Sequence, residues 1–582
     1  MKAEGKKRVQ SLQDTITQIT VEVDGEALEL SSGGEAEKLL GLVEEVRRRD
    51  PDIILTGGNG PSTVRFLVRR ALVNQVLPRF VLGREPRPLQ PSLGQVVSYQ
   101  SYGRIYYRPQ SYQLRGRIHI DVENASIYRD CGLEGLIEVS RTCRMPPRRV
   151  VNTTIGTCMN SLQLYQAVQE KVLIPWKKYE PEAFKTAWEL LLADRGGFIF
   201  EPKPGVYDDV GEINFSSMYP YLMWSKNISP ETIGCPCCLE SNLRVPEPDY
   251  NICEKRTGLV PKVLRLLLTK RSAYKRMRDE AQEAELRQRY DRRQGALKWI
   301  LVCCFGYLGY RNARFGKIDA HIATCSFARS TLLETARIAE DKGFEVIHGI
   351  VDSLWVRKPA VSREEYKDLC KDIEMRLGLP LSFEGLYKWI VFLPSRIHPE
   401  APVLNRYYGV FEGGKVKTRG IELQRSDTPG FISECQREII GVLAAAPDAK
   451  GFRERVPEAM KVMERYRALL KARRVDLIDL IIERRLSKNP GEYAHDVIQA
   501  VAARQLAREG LTLSAGQSIK YVIIDADNPN PYRRVLAAEL IEADTGYDVD
   551  KYVEMLEASA SNLFPFPTRV DHRVGCIPNL AA

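Results

Sequence analysis

Between residues 264 and 310 two helical patterns follow each other: a strongly charged run over 264–294 and an apolar one over 295–310. A third runs over 320–342 and ends near Gly343. Beyond that glycine the period changes. Glu345-Val-Ile-His-Gly349 and Ser353-Leu-Trp-Val356 read as strands, which predicts a hairpin with Ile350-Val-Asp at its tip. The C-terminal third alternates helical patterns at 433–446, 452–472 and 491–509 with one strand, Ile519 to Ile524. Near the start, Ala36 to Arg49 reads as a helix, and Ile53-Ile-Leu-Thr56 and Gly116-Arg-Ile-His-Ile-Asp-Val122 read as strands. Segments with Pro and Gly at 145–147 and 202–205 mark candidate boundaries, and no internal repeat stands out.

Composition narrows the class. A chain of 582 residues with 44% hydrophobic and 27% charged residues has the size and balance of a multidomain globular protein. Lys and Arg number 85 against 75 Asp and Glu, a net +10, which admits a polyanionic partner without requiring one. No apolar run reaches membrane-spanning length, and Met1-Lys-Ala-Glu-Gly-Lys-Lys lacks a signal-peptide core. The expectation is an intracellular, cytoplasmic protein with no membrane contact.

There are thirteen cysteines, with Cys235, Cys237 and Cys238 close together and Cys253 following. A four-thiolate zinc site, a disulfide to Cys253 and free buried thiols all remain open. The spacing is not that of a paired Cys-x2-Cys knuckle. Heavy use of Arg and sparing use of Gln fit a thermophile, in which intracellular disulfides are admissible.

Four segments carry the chemistry. Val206-Tyr-Asp-Asp-Val-Gly-Glu-Ile-Asn-Phe-Ser-Ser-Met-Tyr-Pro-Tyr-Leu-Met223, followed by Asn227-Ile-Ser-Pro-Glu-Thr232, resembles the first palm motif of family B DNA polymerases. Arg292 to Tyr310, with Lys298 and Phe305-Gly-Tyr-Leu-Gly309, resembles the fingers motif; His348 to Ser353 resembles the second palm hairpin; Thr418-Arg-Gly-Ile-Glu422 resembles the start of the thumb. The motifs stand in the family's order over roughly residues 195 to 570. The departures resemble a short, divergent archaeal lineage with altered active-site motifs.

The resemblance implies an α/β (mixed α+β) right hand. Its parts are an exonuclease-like domain of ribonuclease H type over 1–194, palm over 195–262 and 316–403, fingers over 263–315 and thumb over 404–582. It implies magnesium or manganese, weakly bound, with dNTP as substrate and a DNA primer–template as partner. Asp352 falls on a main metal ligand. Asn214 stands where the family has a metal-binding Asp, and Ile350 replaces the first Asp of the hairpin. Both are expected at the catalytic centre, Asn214 and Asp352 as metal ligands. Glu212, two residues before Asn214 and hence on the same strand face about 7 Å away, is a third candidate ligand; a structural Glu is the alternative.

For nucleotide binding the resemblance implies the backbone N–H groups of Ser217 and Met218, Tyr219 under the sugar, Arg271, Lys275 and Lys298 on the triphosphate, and Val302 and Phe305 beneath the base pair. Arg271 and Lys275, at i and i+4, share a helix face. For DNA, Arg406 and Tyr407 lie in the segment matching a Lys-x-Tyr motif, while Arg419, Arg484 and Lys488, with Arg485 and Arg504 nearby, are expected on the duplex.

Asp50 to Gly60 and Arg65-Phe-Leu67 resemble the second exonuclease motif, with Thr63 at the expected Asp, and no Asp-x-Glu strand precedes it. Proofreading is therefore not expected. Two functions follow: a weak or specialised DNA polymerase serving repair or damage bypass, with replication or repair proteins as candidate partners, or a catalytically inactive DNA-binding scaffold. The tail from Phe564 to Ala582 shows no clear clamp-binding pattern.

Overall fold

The computed structural model describes residues 1–5, 12, 14–57, 63–89, 97–101, 104–108, 111–176, 184–193 and 195–566. At its centre is an eight-stranded antiparallel sheet. Its order is Val416–Arg419, Pro402–Phe411, Leu381–Pro394, Val210–Phe215, Ser353–Arg357, Glu345–Ile350 and Ile199–Phe200, with Gly205–Tyr207 pairing to Leu381–Pro394 as well. This is the palm. Alternation along Val210–Phe215 sends Ile213 and Phe215 into the core beneath the helices, while Val210 joins an aromatic cluster of Trp355, Tyr387, Phe392, Tyr407 and Phe411 on the other face.

The predicted hairpin is present, with Ile350 paired to Ser353. Its two-residue turn holds Val351 at φ 56°, in the left-handed region that a β-branched residue rarely enters. The turn fixes the backbone of Asp352, whose carbonyl accepts from the N–H of Phe215 at 2.8 Å. Gly349 is required where the strand crosses Phe200: a Cβ there would meet Phe200 Cδ2 and Leu354 Cδ1, each at 2.8 Å.

The fingers are two long helices, Leu259–Glu280 and Ala284–Gly309. The first therefore ends fourteen residues before the predicted end at 294. Ala281 turns extended (ψ 128°) and its carbonyl accepts from Arg287 Nη2 at 3.0 Å. No Gly or Pro marks the break, so periodicity runs straight through it.

Two expected borders shift. Strands Pro402–Phe411 and Val416–Arg419 complete the palm sheet, although the sequence places them in the thumb. Helices Ser126–Cys143 and Ile155–Gln169, placed with the N-terminal domain, share a buried core with palm and fingers through Leu136, Val139, Met159 and Leu162.

The thumb packs helices Gly430–Ala444, Ala449–Lys471, Ile498–Arg508 and Val549–Ser561 around a small sheet of Ile482–Arg485, Ser518–Ile523 and Val535–Ala537. Its core continues into Trp389, Val391 and Tyr408 of the palm. The N-terminal part has its own core, with a three-stranded antiparallel sheet and a parallel pairing of Ile53–Thr56 with Ile118–Asp121. Its hairpin Val97–Ser101/Arg104–Arg108 reaches the thumb, where Ser98 Oγ donates to the Ala515 carbonyl at 2.6 Å.

Candidate active site

Asn214 and Asp352 meet on neighbouring strands. Asn214 pairs with Ser353 across the sheet, which places it beside Asp352. Burial raises the Asp352 carboxyl above the ordinary range; its own backbone N–H, the Ser353 hydroxyl and the charge of Lys298 act the other way, and Glu212 adds to the rise. Asn214 Oδ1 is buried and, among the described residues, has no hydrogen-bond partner. A carboxylate and an orphaned amide oxygen are hard oxygen donors, the chemistry that magnesium or manganese prefers. The residues fit such an ion, with one negative charge where the family pattern has two or more. Ile350 adds none.

Glu212 lies on the Asn214 face but is committed elsewhere. It is 1% exposed; Tyr387 Oη donates to Oε2 at 2.6 Å, and Lys417 Nζ forms an ion pair with Oε1. The expectation of a metal ligand is corrected: both oxygens are held by an internal pair, and the structural alternative describes the residue.

The nucleotide side is built by the first turn of helix Met218–Ser225. Ser217 caps it in the left-handed conformation (φ 59°), and first-turn N–H groups at Ser217 and Met218 lack intrahelical acceptors, a natural anion seat. The fingers face this turn: Arg271 Nη1 donates to Ser217 Oγ at 2.8 Å and Lys275 Nζ to Ser216 Oγ at 3.0 Å. Burial lowers both cations from their ordinary ranges, and Arg271, Arg278 and Lys298 push Lys275 further down. Arg271 Nε is buried and, among the described residues, has no acceptor. Among the described residues no carboxylate lies in ion-pair distance of Arg271, Lys275 or Lys298. Glu384 acts on Lys275 and Lys298 acts on Asp352, both from beyond ion-pair distance.

Tyr219 packs on Phe305 (ring centroids 4.4 Å apart), which stacks on His321 at 4.0 Å. Burial holds the Tyr219 phenol far above its usual range. Val302 is exposed on the same fingers helix, at 58%. The sequence reading missed Ser216, Arg278, His321, Tyr387 and Lys417; only Ser216, inside the motif, carried a local signal.

The DNA-side expectations divide. Arg406 is 8% exposed; it donates to the Pro394 and Asn562 carbonyls at 3.2 and 3.3 Å. Burial lowers its guanidinium to about 10. Tyr407 is 3% exposed among Trp355, Phe392 and His348. Both are corrected from DNA contacts to core residues, because the strand carrying them is covered on both faces. Arg419 stays exposed opposite Tyr407. Arg484 is half-exposed beside Asp427 at 3.5 Å, and Lys488 is exposed. Arg485 lies over the Tyr106 ring of the N-terminal hairpin at 5.6 Å, and Arg504 pairs with Asp496.

In the N-terminal part, residues 58–62 of the exonuclease-like motif lie outside the described residues. Thr63 is buried at a helix start. Asp50 and Asp52 are both paired with Arg84 at 2.9 Å.

A palm sheet with an acid at its hairpin, a helix turn seating anions and a fingers pair lined with cations define a right-hand nucleotidyl polymerase architecture. The profile of DNA polymerase family B matches residues 145–565, and the chain belongs to that family. DNA polymerase 2 of Saccharolobus solfataricus is 33% identical over 313 residues, 54% of this chain and 45% of that protein, so the match spans less than half of the relative's length. A DNA polymerase of Pyrococcus glycovorans is 24% identical over 89% of this chain and 71% of its own. The family B DNA polymerase structure from Pyrobaculum calidifontis superimposes with a TM-score of 0.69 at 23% identity, covering 99% of this chain and 78% of that one. Among the described residues no helix is long and apolar enough to cross a membrane.

Proposed function

We propose that this chain extends a primer 3′ end on a DNA template from dNTPs, slowly, and without 3′–5′ trimming. The observation that supports it is the cation cluster: Arg271 and Lys275 bond Ser217 and Ser216 at the start of the motif helix, Lys298 acts on Asp352, and among the described residues none of the three is in an ion pair. Arg271 and Lys275 are partly desolvated and Lys298 is exposed; cations held out of water without an ion-pair partner are costly unless an anion arrives, and a protein that only held duplex would need none here. Bound magnesium or manganese would supply neutralisation of the triphosphate and activation of the primer hydroxyl. Asp352 and Asn214 would hold it. Arg271, Lys275, Lys298 and the first-turn N–H groups bind and orient the triphosphate. Tyr219 and Phe305 form the wall beside the sugar and base. Arg419, Arg484 and Lys488 offer exposed charge to the duplex backbone.

The second reading, a DNA-binding scaffold without chemistry, is favoured by Asn214 and Ile350. Primer extension at high enzyme concentration separates the two. The expected result is weak extension that Asp352→Ala abolishes; DNA binding with no extension by wild type supports the scaffold instead. Slow synthesis without proofreading suits repair or damage bypass, with other replication or repair proteins as partners.

Two further outcomes are expected. With Tyr219→Ala, the preference for dNTP over rNTP in kcat/KM falls about 10–100-fold, the range a single pocket contact commands; an unchanged ratio removes Tyr219 from the sugar wall. A labelled mismatched primer with magnesium or manganese is expected to keep its 3′ end. Trimming that survives Asp352→Ala contradicts the absence of proofreading.

A further inference from the structure

The segment joining the motif helix to the fingers brings four cysteines together from two stretches of chain. The sulfurs of Cys235, Cys237, Cys238 and Cys253 all lie within 4.8 Å of one another. The separations Cys237–Cys238 and Cys237–Cys253 are 3.7 Å and Cys238–Cys253 is 3.8 Å. A tetrahedral thiolate centre with metal–sulfur bonds of about 2.3 Å has sulfur–sulfur edges of about 3.8 Å. A disulfide would need about 2.05 Å and would engage only two of the four.

The surroundings suit a closed metal site. Three of the thiols are buried and Cys237 reaches the surface, which gives an ion a way in. Asn251 Nδ2 donates to the Cys235 and Cys238 carbonyls, both at 2.9 Å, and lies 3.6 Å from Cys235 Sγ. Such outer contacts orient ligand sulfurs and stabilise their thiolate form.

We propose that Cys235, Cys237, Cys238 and Cys253 bind one zinc ion as a four-thiolate structural site that anchors the root of the fingers. Binding releases the thiol protons and replaces them with four metal–sulfur bonds. The anchor is next to the fingers helix. Asn227 Nδ2 donates to the Cys253 and Arg256 carbonyls at 2.8 and 2.9 Å, and its Oδ1 accepts from Gly258 at 2.8 Å, immediately before the helix that carries Arg271 and Lys275. Zinc here fixes where that helix starts.

The test uses the full chain purified without chelator. One zinc per chain is expected by elemental analysis, with an X-ray absorption shell of four sulfurs at about 2.3 Å. Exchange for cobalt is expected to give thiolate-to-metal charge-transfer and tetrahedral d–d bands. The double variant C237S/C253S is expected to lose the ion, and Asn251→Ala to weaken zinc affinity about 10–100-fold. Should the double variant fail to fold, the cobalt spectrum of the wild-type chain decides alone. Four thiols that alkylate equally fast with and without added zinc overturn the proposal. So does a mass showing a disulfide within the cluster, or zinc retained by a folded C237S/C253S chain.

Discussion

Asn214→Asp is expected to raise the rate of primer extension by roughly a thousandfold. The substitution restores one negative charge beside Asp352 with almost no change of shape. A unit charge about 4 Å from another contributes roughly 4 kcal/mol at an effective dielectric of about 20. If that contribution is felt in the transition state, the factor is on the order of 10³. The site can receive the charge. Asn214 Oδ1 has no donor to lose, and Lys298 already acts on the neighbouring carboxylate. Without metal the new carboxylate repels Asp352 and Glu212, so the variant is expected to unfold at lower urea than wild type and to recover when magnesium or manganese is added. Single-turnover extension with saturating dNTP is the measurement. A rate unchanged by Asn214→Asp, in a variant that folds and binds primer–template, would mean that position 214 does not hold the metal.

Lys417→Met is expected to destabilise the palm by about 3–5 kcal/mol, the usual cost of leaving a buried charge without its partner. Glu212 sits in the aromatic cluster under the sheet, 1% exposed, and Lys417 is the cation that compensates it. Tyr387 cannot do this alone, since a neutral hydroxyl satisfies one oxygen and leaves the charge. Glu212→Gln with Lys417→Met should cost much less than the sum of the single changes, because the charge and its partner leave together. Urea unfolding of the two single variants and the double variant gives the coupling. Additive effects would show that the pair does not act as one unit. The double variant also bears on the metal: manganese affinity is expected to stay near wild type, since Glu212 already spends both oxygens on Lys417 and Tyr387.

The sequence was legible where chemistry is local. Asn214, Ser217 and Tyr219 follow one another on a strand and the helix after it, and the hairpin carrying Asp352 is bounded by two alternating runs, so a family resemblance over short contiguous motifs brings them together. Helical periodicity puts Arg271 and Lys275 on one face, and the resemblance assigns that face to the triphosphate. What stayed hidden is non-local. Lys417 reaches Glu212 from 205 residues away, and nothing near either residue announces the other. A motif resemblance assigns Arg406 and Tyr407 to DNA, yet strands on either side and the thumb core bury them. The fingers break at Ala281–Glu283 was invisible because both flanking runs are charged and helix-favouring. The cysteines show the same limit: Cys253 lies fifteen residues beyond Cys238, and only the fold brings their sulfurs to 3.8 Å.

The most direct measurement is anomalous scattering from manganese in crystals of the chain with primer–template and a non-hydrolysable dNTP. The expected result is a peak at coordination distance from the Asp352 carboxylate and the Asn214 amide oxygen, with the triphosphate against Arg271, Lys275 and Lys298. Manganese bound away from both residues, or a triphosphate that leaves those three cations untouched, would contradict the account.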